Sequence, residues 1–122
     1  MSVISVKVKY IRPAYHDLRE WMNDDNNVYI GRKGIVFIDG VRFPKEDSIW
    51  CNPFKITATT TREMVLAQYE QHINNKLQNP EMVKALLLLQ GKTLGCWCRE
   101  PQHADELICH GDILLRKINE HV

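Results

Sequence analysis

The sequence predicts an α/β fold: a small single domain over residues 1–122, in which helices are layered on a small sheet. Three observations predict it. Strand-like alternation occupies the start of the chain, helical periodicity dominates the second half, and the late order helix, helix, strand, helix follows early strands. The length of 122 residues suits one domain of ordinary size and leaves no room for two.

Taking the elements in order, Ile4, Val6, Val8 and Tyr10 alternate with Ser5, Lys7 and Lys9, the pattern of a half-buried strand. Pro13 ends it, and Tyr15 to Met22 is expected as a short helix before the polar run at 23–27. Val28 to Ile30 and Ile35 to Ile38 read as two short strands. They are joined by Gly31-Arg32-Lys33-Gly34, a flexible turn carrying two cations, as in a plain hairpin. Residues 39–60 contain Gly40, Pro44 and Pro53 and show little periodicity, so a long ordered loop is expected there. Ordered loops of that length in a compact domain commonly carry function. Thr60-Thr61-Arg62-Glu63 fits a capping box, and behind it Leu66, Tyr69, Ile73 and Leu77 form an apolar helical stripe. Asn79-Pro80-Glu81 is a second helix start, with Val83, Leu86, Leu87 and Leu89 as the buried face and Gly91 as the stop. Thr93 to Cys98 is expected as a strand, and about Cys109 to Glu120 as a last helix with Ile113, Leu114 and Ile118 inward.

Composition excludes several function classes. With 44% hydrophobic and 25% charged residues the chain can bury a core, which excludes a disordered or fibrous protein. Sixteen basic against fifteen acidic residues give a net charge of +1, too little for broad non-specific nucleic-acid binding, although a local basic pocket stays open. No apolar run approaches the roughly 20 residues that span a bilayer, so no membrane partner is expected. Met1 to Tyr10 does not read as a secretory leader, which places the four cysteines in a reducing cytoplasm. Clustered cysteines there signify metal binding or reactivity more often than disulfides.

Three of the four cysteines fall near the end of the chain beside a histidine. Residues two apart on a strand share a face, so Cys96 and Cys98 present both sulfurs on one side while Trp97 turns away. Cys109 and His110 then arrive at the N-terminus of the last helix. Together these four form a Cys3His set, which zinc binds tetrahedrally, and zinc suits mixed sulfur and nitrogen ligands. A second reading leaves the thiols free: Cys109, its pKa lowered at a helix N-terminus, becomes a nucleophile with His110 as base. A third treats Cys96 as a small core hydrophobe. Cys51 reads as an incidental thiol, His103 as a spare ligand, and His16, His72 and His121 as surface residues.

Tyr29-Ile30-Gly31-Arg32, Arg42-Phe43-Pro44, Ser48-Ile49-Trp50 with Asn52-Pro53-Phe54, then Arg62, Tyr69 and Glu70, and finally Gly91 to Cys98 with Cys109-His110-Gly111-Asp112 form a set of blocks. In these blocks the chain resembles the family named domain of unknown function 4326, carried by small phage, large-virus and bacterial proteins. The resemblance runs from about Val28 to Leu115 and rests most on the Cys-Trp-Cys and Cys-His-Gly-Asp blocks. It implies little about activity, since the family's name states only that its function is unknown. The stretch between Cys98 and Cys109 is longer than the short proline-containing loop associated with the family.

The polar residues within these blocks are candidates for a ligand site. Arg32 and Lys33, in a glycine-flanked turn, suit a phosphate or carboxylate, or else belong to an ordinary charged hairpin. Asn52, held extended by Pro53, either makes a turn or reads a base edge with its amide, and turn-making is the simpler role. Arg62, in a helix first turn, opposes the macrodipole unless an anion pairs with it. Asp112 is placed to buttress an imidazole, orient a water or cap the helix. Trp50, Phe54 and Trp97 fit a core more readily than a stacking platform.

Two functions of different class follow. One is a small zinc enzyme acting on a nucleotide, nucleoside or modified base, with Arg32, Lys33, Asn52 and Arg62 binding the ligand and Asp112 or Cys109 as catalytic candidates. The other is a non-enzymatic module for protein or nucleic acid, in which a closed zinc site supplies folding energy. The His-x-Glu and Pro-Cys-x-x-Cys pattern of zinc deaminases is absent.

Overall fold

The computed structural model describes residues 2–54, 58–97 and 110–121. Its elements in chain order are β1 (Ser2–Ser5), α1 (Val8–Ile11), α2 (Leu18–Asn23), β2 (Asn27–Tyr29), β3 (Val36–Ile38), β4 (Val41–Phe43), α3 (Arg62–Lys76), α4 (Pro80–Leu87), β5 (Thr93–Cys96) and α5 (His110–His121). The fold is the small α/β domain the sequence predicts. β1, β5 and β2 form a parallel sheet in that order, and β3 and β4 form a separate antiparallel pair.

A parallel sheet must be covered on both faces, and the alternation along β5 shows how this is done. Leu94 and Cys96, both 0% exposed, join a core that includes Leu66, Tyr69 and Ile73 of α3, Leu86 of α4 and Ile113, Leu114 and Ile118 of α5. Between them Gly95 turns to the opposite face, where a second core contains Val6, Ile11, Leu18, Trp21 and Tyr29. A Cβ on Gly95 would overlap the Trp21 ring and Val6, so the indole packs directly on the backbone of the central strand. Val36 of β3 and Phe43 of β4 pack against this second core and attach the small hairpin to it.

Several elements differ from expectation for identifiable reasons. The alternation at 4–10 predicts one strand, but β1 ends at Ser5 and the chain turns into α1. The Val6 amide still donates to the Cys96 carbonyl at 3.0 Å; β5 ends at Cys96, so β1 has no further strand to pair with. α2 starts at Leu18 rather than Tyr15 because the Asp17 carboxylate caps it, accepting from the Glu20 amide at 3.0 Å. Val28 to Ile30 and Ile35 to Ile38 do not form a hairpin with each other: β2 pairs with β5, and β3 pairs with β4. The turn that closes β3 and β4 is Asp39-Gly40, with φ of 54° and 78°, the paired positive values of a type I′ hairpin turn. The segment 39–60 therefore begins with this turn and β4, and from Pro44 to Phe54 it carries no helix or strand.

The helices α3 and α4 follow the sequence closely. Thr61, one residue later than the capping box suggests, caps α3 by accepting from the Met64 amide at 3.2 Å. Asn79 caps α4, with Pro80 at its first position as expected. Lys117 of α5 is 7% exposed and pairs with Glu70 of α3 at 3.1 Å, while Arg116 pairs with the same carboxylate at 2.6 Å. No helix among the described residues is long and apolar enough to cross a membrane.

Candidate functional site

The parallel strands β1, β5 and β2 all end at one edge of the sheet, and of the candidate residues Cys96 and His110 lie there. Cys96 closes β5 and is fully buried. His110 opens α5 at 6% exposure. Its Nε2 lies 2.7 Å from the carbonyl oxygen of Ile30, the residue that follows β2. A carbonyl only accepts, so Nε2 donates, and in the neutral ring the lone pair resides on Nδ1. The Ile30 amide in turn donates to the Gly95 carbonyl at 2.9 Å, which sets His110 and Cys96 around one continuation of β2.

Two features fix the imidazole further. Tyr69 of α3 meets it edge-on with ring centroids 5.0 Å apart, and the Tyr69 hydroxyl donates to the Trp50 carbonyl at 2.8 Å. Gly111 lets the first turn of α5 approach the sheet, since a Cβ there would lie 2.7 Å from Val3 and 2.9 Å from Ile30. Asp112 follows, half-buried in the same first turn. Cys98, Cys109 and His103 lie outside the described residues. Among the described residues no three His, Cys, Asp or Glu side chains are grouped as a metal site.

The arginine of the glycine-flanked turn organises the segment that follows the hairpin. Arg32 Nε donates to the Asn52 carbonyl at 2.9 Å, and Nη2 donates to the carbonyls of Asn52 at 2.6 Å and Phe54 at 3.0 Å. Asn52 Oδ1 accepts from the Phe54 amide at 2.9 Å, which is the turn-making role expected of it. Arg32 and Asn52 are thus brought together, with the guanidinium directed at backbone oxygens. Lys33 is exposed and its amide donates to Asp47 Oδ1 at 2.8 Å. Arg62 is exposed at the first position of α3, beyond the Thr61 cap.

Other residues have roles that spacing did not signal. Trp50 is 3% exposed and belongs to the core, whereas Trp97 is 36% exposed with the Lys7 ammonium 5.8 Å from its ring. His72, read from sequence as a surface residue, is half-buried with its ring 5.9 Å from Phe54. Burial, with the Lys76 charge adding to it, holds its imidazole below the usual range. Burial also pushes the Cys51 thiol up, with Asp47 adding to it. Arg42 and Lys45 flank a cavity with Lys33 and were not singled out as ligand residues. The signal that finds them is the Asp39-Gly40 turn, which places Phe37 and Arg42 opposite each other across the hairpin.

No curated protein and no solved structure matches the chain. A family model described as Domain of unknown function (DUF4326) matches residues 14–120, from before α2 to the last turn of α5. The sheet edge formed by Ile30, Cys96 and His110 lies inside that match, and the chain belongs to this family of unknown function.

Proposed function

We propose that the protein is a zinc-binding α/β domain in which Cys96, Cys98, Cys109 and His110 hold one zinc ion at the carboxyl edge of the parallel sheet. The observation that carries this reading is the 2.7 Å bond from His110 Nε2 to the Ile30 carbonyl. Metal-bound histidines characteristically donate their second ring nitrogen to a carbonyl or carboxylate, which fixes the tautomer and turns the other nitrogen to the metal. Here that nitrogen is Nδ1. The burial of Cys96 and His110 favours a closed structural ion, which joins β5 and α5 to β2 and contributes folding energy. Thiolate ligands of this kind persist in a reducing compartment such as the cytoplasm.

The domain then acts as a binding module for a small anionic ligand such as a nucleotide. A second reading, an enzyme acting on a nucleotide, nucleoside or modified base with Asp112 or Cys109 in the chemistry, draws support from the site's position. Ligands of open parallel sheets bind outside the carboxyl ends of the strands.

Metal analysis of the reduced, purified chain tests the proposal. One zinc per chain is expected, falling to a small fraction in Cys96→Ser and in His110→Ala. A chain that takes up no zinc while all four thiols react with a thiol reagent overturns it.

A further inference from the structure

We propose that the open cavity beside the β3–β4 hairpin binds a phosphate-bearing anion between Lys33, Arg42 and Lys45. The inference rests on the anionic-ligand half of the proposed function and not on its metal. It assigns the phosphate contacts to side chains other than Arg32. The cavity measures about 440 Å³ and is lined by Lys33, Gly34, Arg42, Pro44 and Lys45, so three cations and no carboxylate face it. None of the three cations forms an ion pair among the described residues. The Asp47 carboxylate accepts from the Lys33 backbone amide. In a chain of net charge +1, three cations on one cavity are a local feature and no part of a general positive field.

The wall is also organised in advance. Arg42 is held from two sides: its guanidinium lies 4.7 Å from the Phe37 ring centroid, and Nη1 donates to the Gly34 carbonyl at 3.1 Å. The Gly34 amide donates to the Pro44 carbonyl at 2.9 Å, and Gly34 adopts the left-handed φ of 68° that this closure uses. A planar guanidinium fixed in this way presents paired N–H donors to phosphate oxygens, with two lysine ammonium groups to balance the charge.

Titration of the 15N-labelled full chain with pyrophosphate tests this. Saturable amide shifts are expected at Gly34, Arg42 and Lys45, with none on adding adenosine. Each of Arg42→Gln and Lys45→Gln is expected to weaken binding about tenfold or more, the loss of one charge-assisted contact. Lys45 makes no hydrogen bond or ion pair among the described residues, so its variant probes the ligand without disturbing the hairpin. Lys84→Gln on α4, which removes an exposed partner of Glu81, is expected to change nothing. Parallel titrations with ADP and a short oligothymidylate separate a free nucleotide from a strand as the source of the phosphate. Unchanged affinity in the Arg42→Gln/Lys45→Gln double variant overturns the site. Shifts confined to Asn52 and Arg62 overturn it while leaving the anionic-ligand reading standing, and no shift anywhere removes both.

Discussion

At the carboxyl edge of the parallel sheet polar side chains turn inward: His110 reaches the Ile30 carbonyl, Tyr69 reaches the Trp50 carbonyl, and Cys96 is fully buried. On the β3–β4 hairpin even apolar side chains turn outward: Phe37 is 64% and Val41 60% exposed, and Arg42 stacks on Phe37 above an open cavity. A buried polar atom without a partner costs free energy, so replacing His110 or Tyr69, each bonded to a backbone carbonyl, is felt by the fold. At the hairpin water substitutes for any lost contact. Substitutions at the sheet edge are therefore expected to cost stability, whereas those on the hairpin are expected to cost little.

Substitutions on the two sides sharpen this contrast. Trp21→Ala removes the indole that packs on Gly95 and is expected to destabilise by about 3–5 kcal/mol. Phe37→Ala is expected to stay within about 0.5 kcal/mol of the parent chain. Urea unfolding of both measures the difference, and equal losses would place the hairpin in the core. Tyr69→Phe comes next, at about 1–3 kcal/mol, because it leaves the buried Trp50 carbonyl without its donor. A fall in that range without loss of helix signal would separate the hydroxyl from the ring.

A further small effect is expected between α3 and α5. The hydrogen bond from Lys117, together with the charges of Lys117 and Arg116, holds the Glu70 carboxyl below its usual range. A depressed folded pKa means that the contribution is fully present above the unfolded carboxylate range and is lost as pH falls through the folded value. Glu70→Gln should therefore flatten the acid side of the stability curve and change little at neutral pH beyond the ion pair itself. With the carboxylate 34% exposed, solvent screening keeps that loss under about 1 kcal/mol. An unchanged acid limb would contradict the pairing.

What could be read from the sequence follows from which interactions are local. The stripe Leu66, Tyr69 and Ile73 and the Asn79-Pro80 start depend on neighbours a few positions away, and both appear where spacing puts them. The Asp39-Gly40 turn is equally local, but the strands on either side have only three residues each, too few for alternation to separate them from the loop expected at 39–60. The end of β1 was not legible, since it depends on the length of a strand some ninety positions away. The same holds at the site. That His110 is a special residue follows from Cys109-His110-Gly111-Asp112, but its bond to Ile30 spans 80 positions and ends on a carbonyl, which every residue type carries equally. Arg32 was marked for its charge, and its carbonyl acceptors on Asn52 and Phe54 likewise leave no trace in residue identity.

X-ray absorption at the zinc edge of the purified chain reads the shell of the proposed zinc ion directly. Three sulfurs at about 2.3 Å and one nitrogen at about 2.0–2.1 Å are expected, with the nitrogen contribution lost in His110→Ala. A shell of oxygen and nitrogen alone, or one unchanged by that substitution, would contradict it.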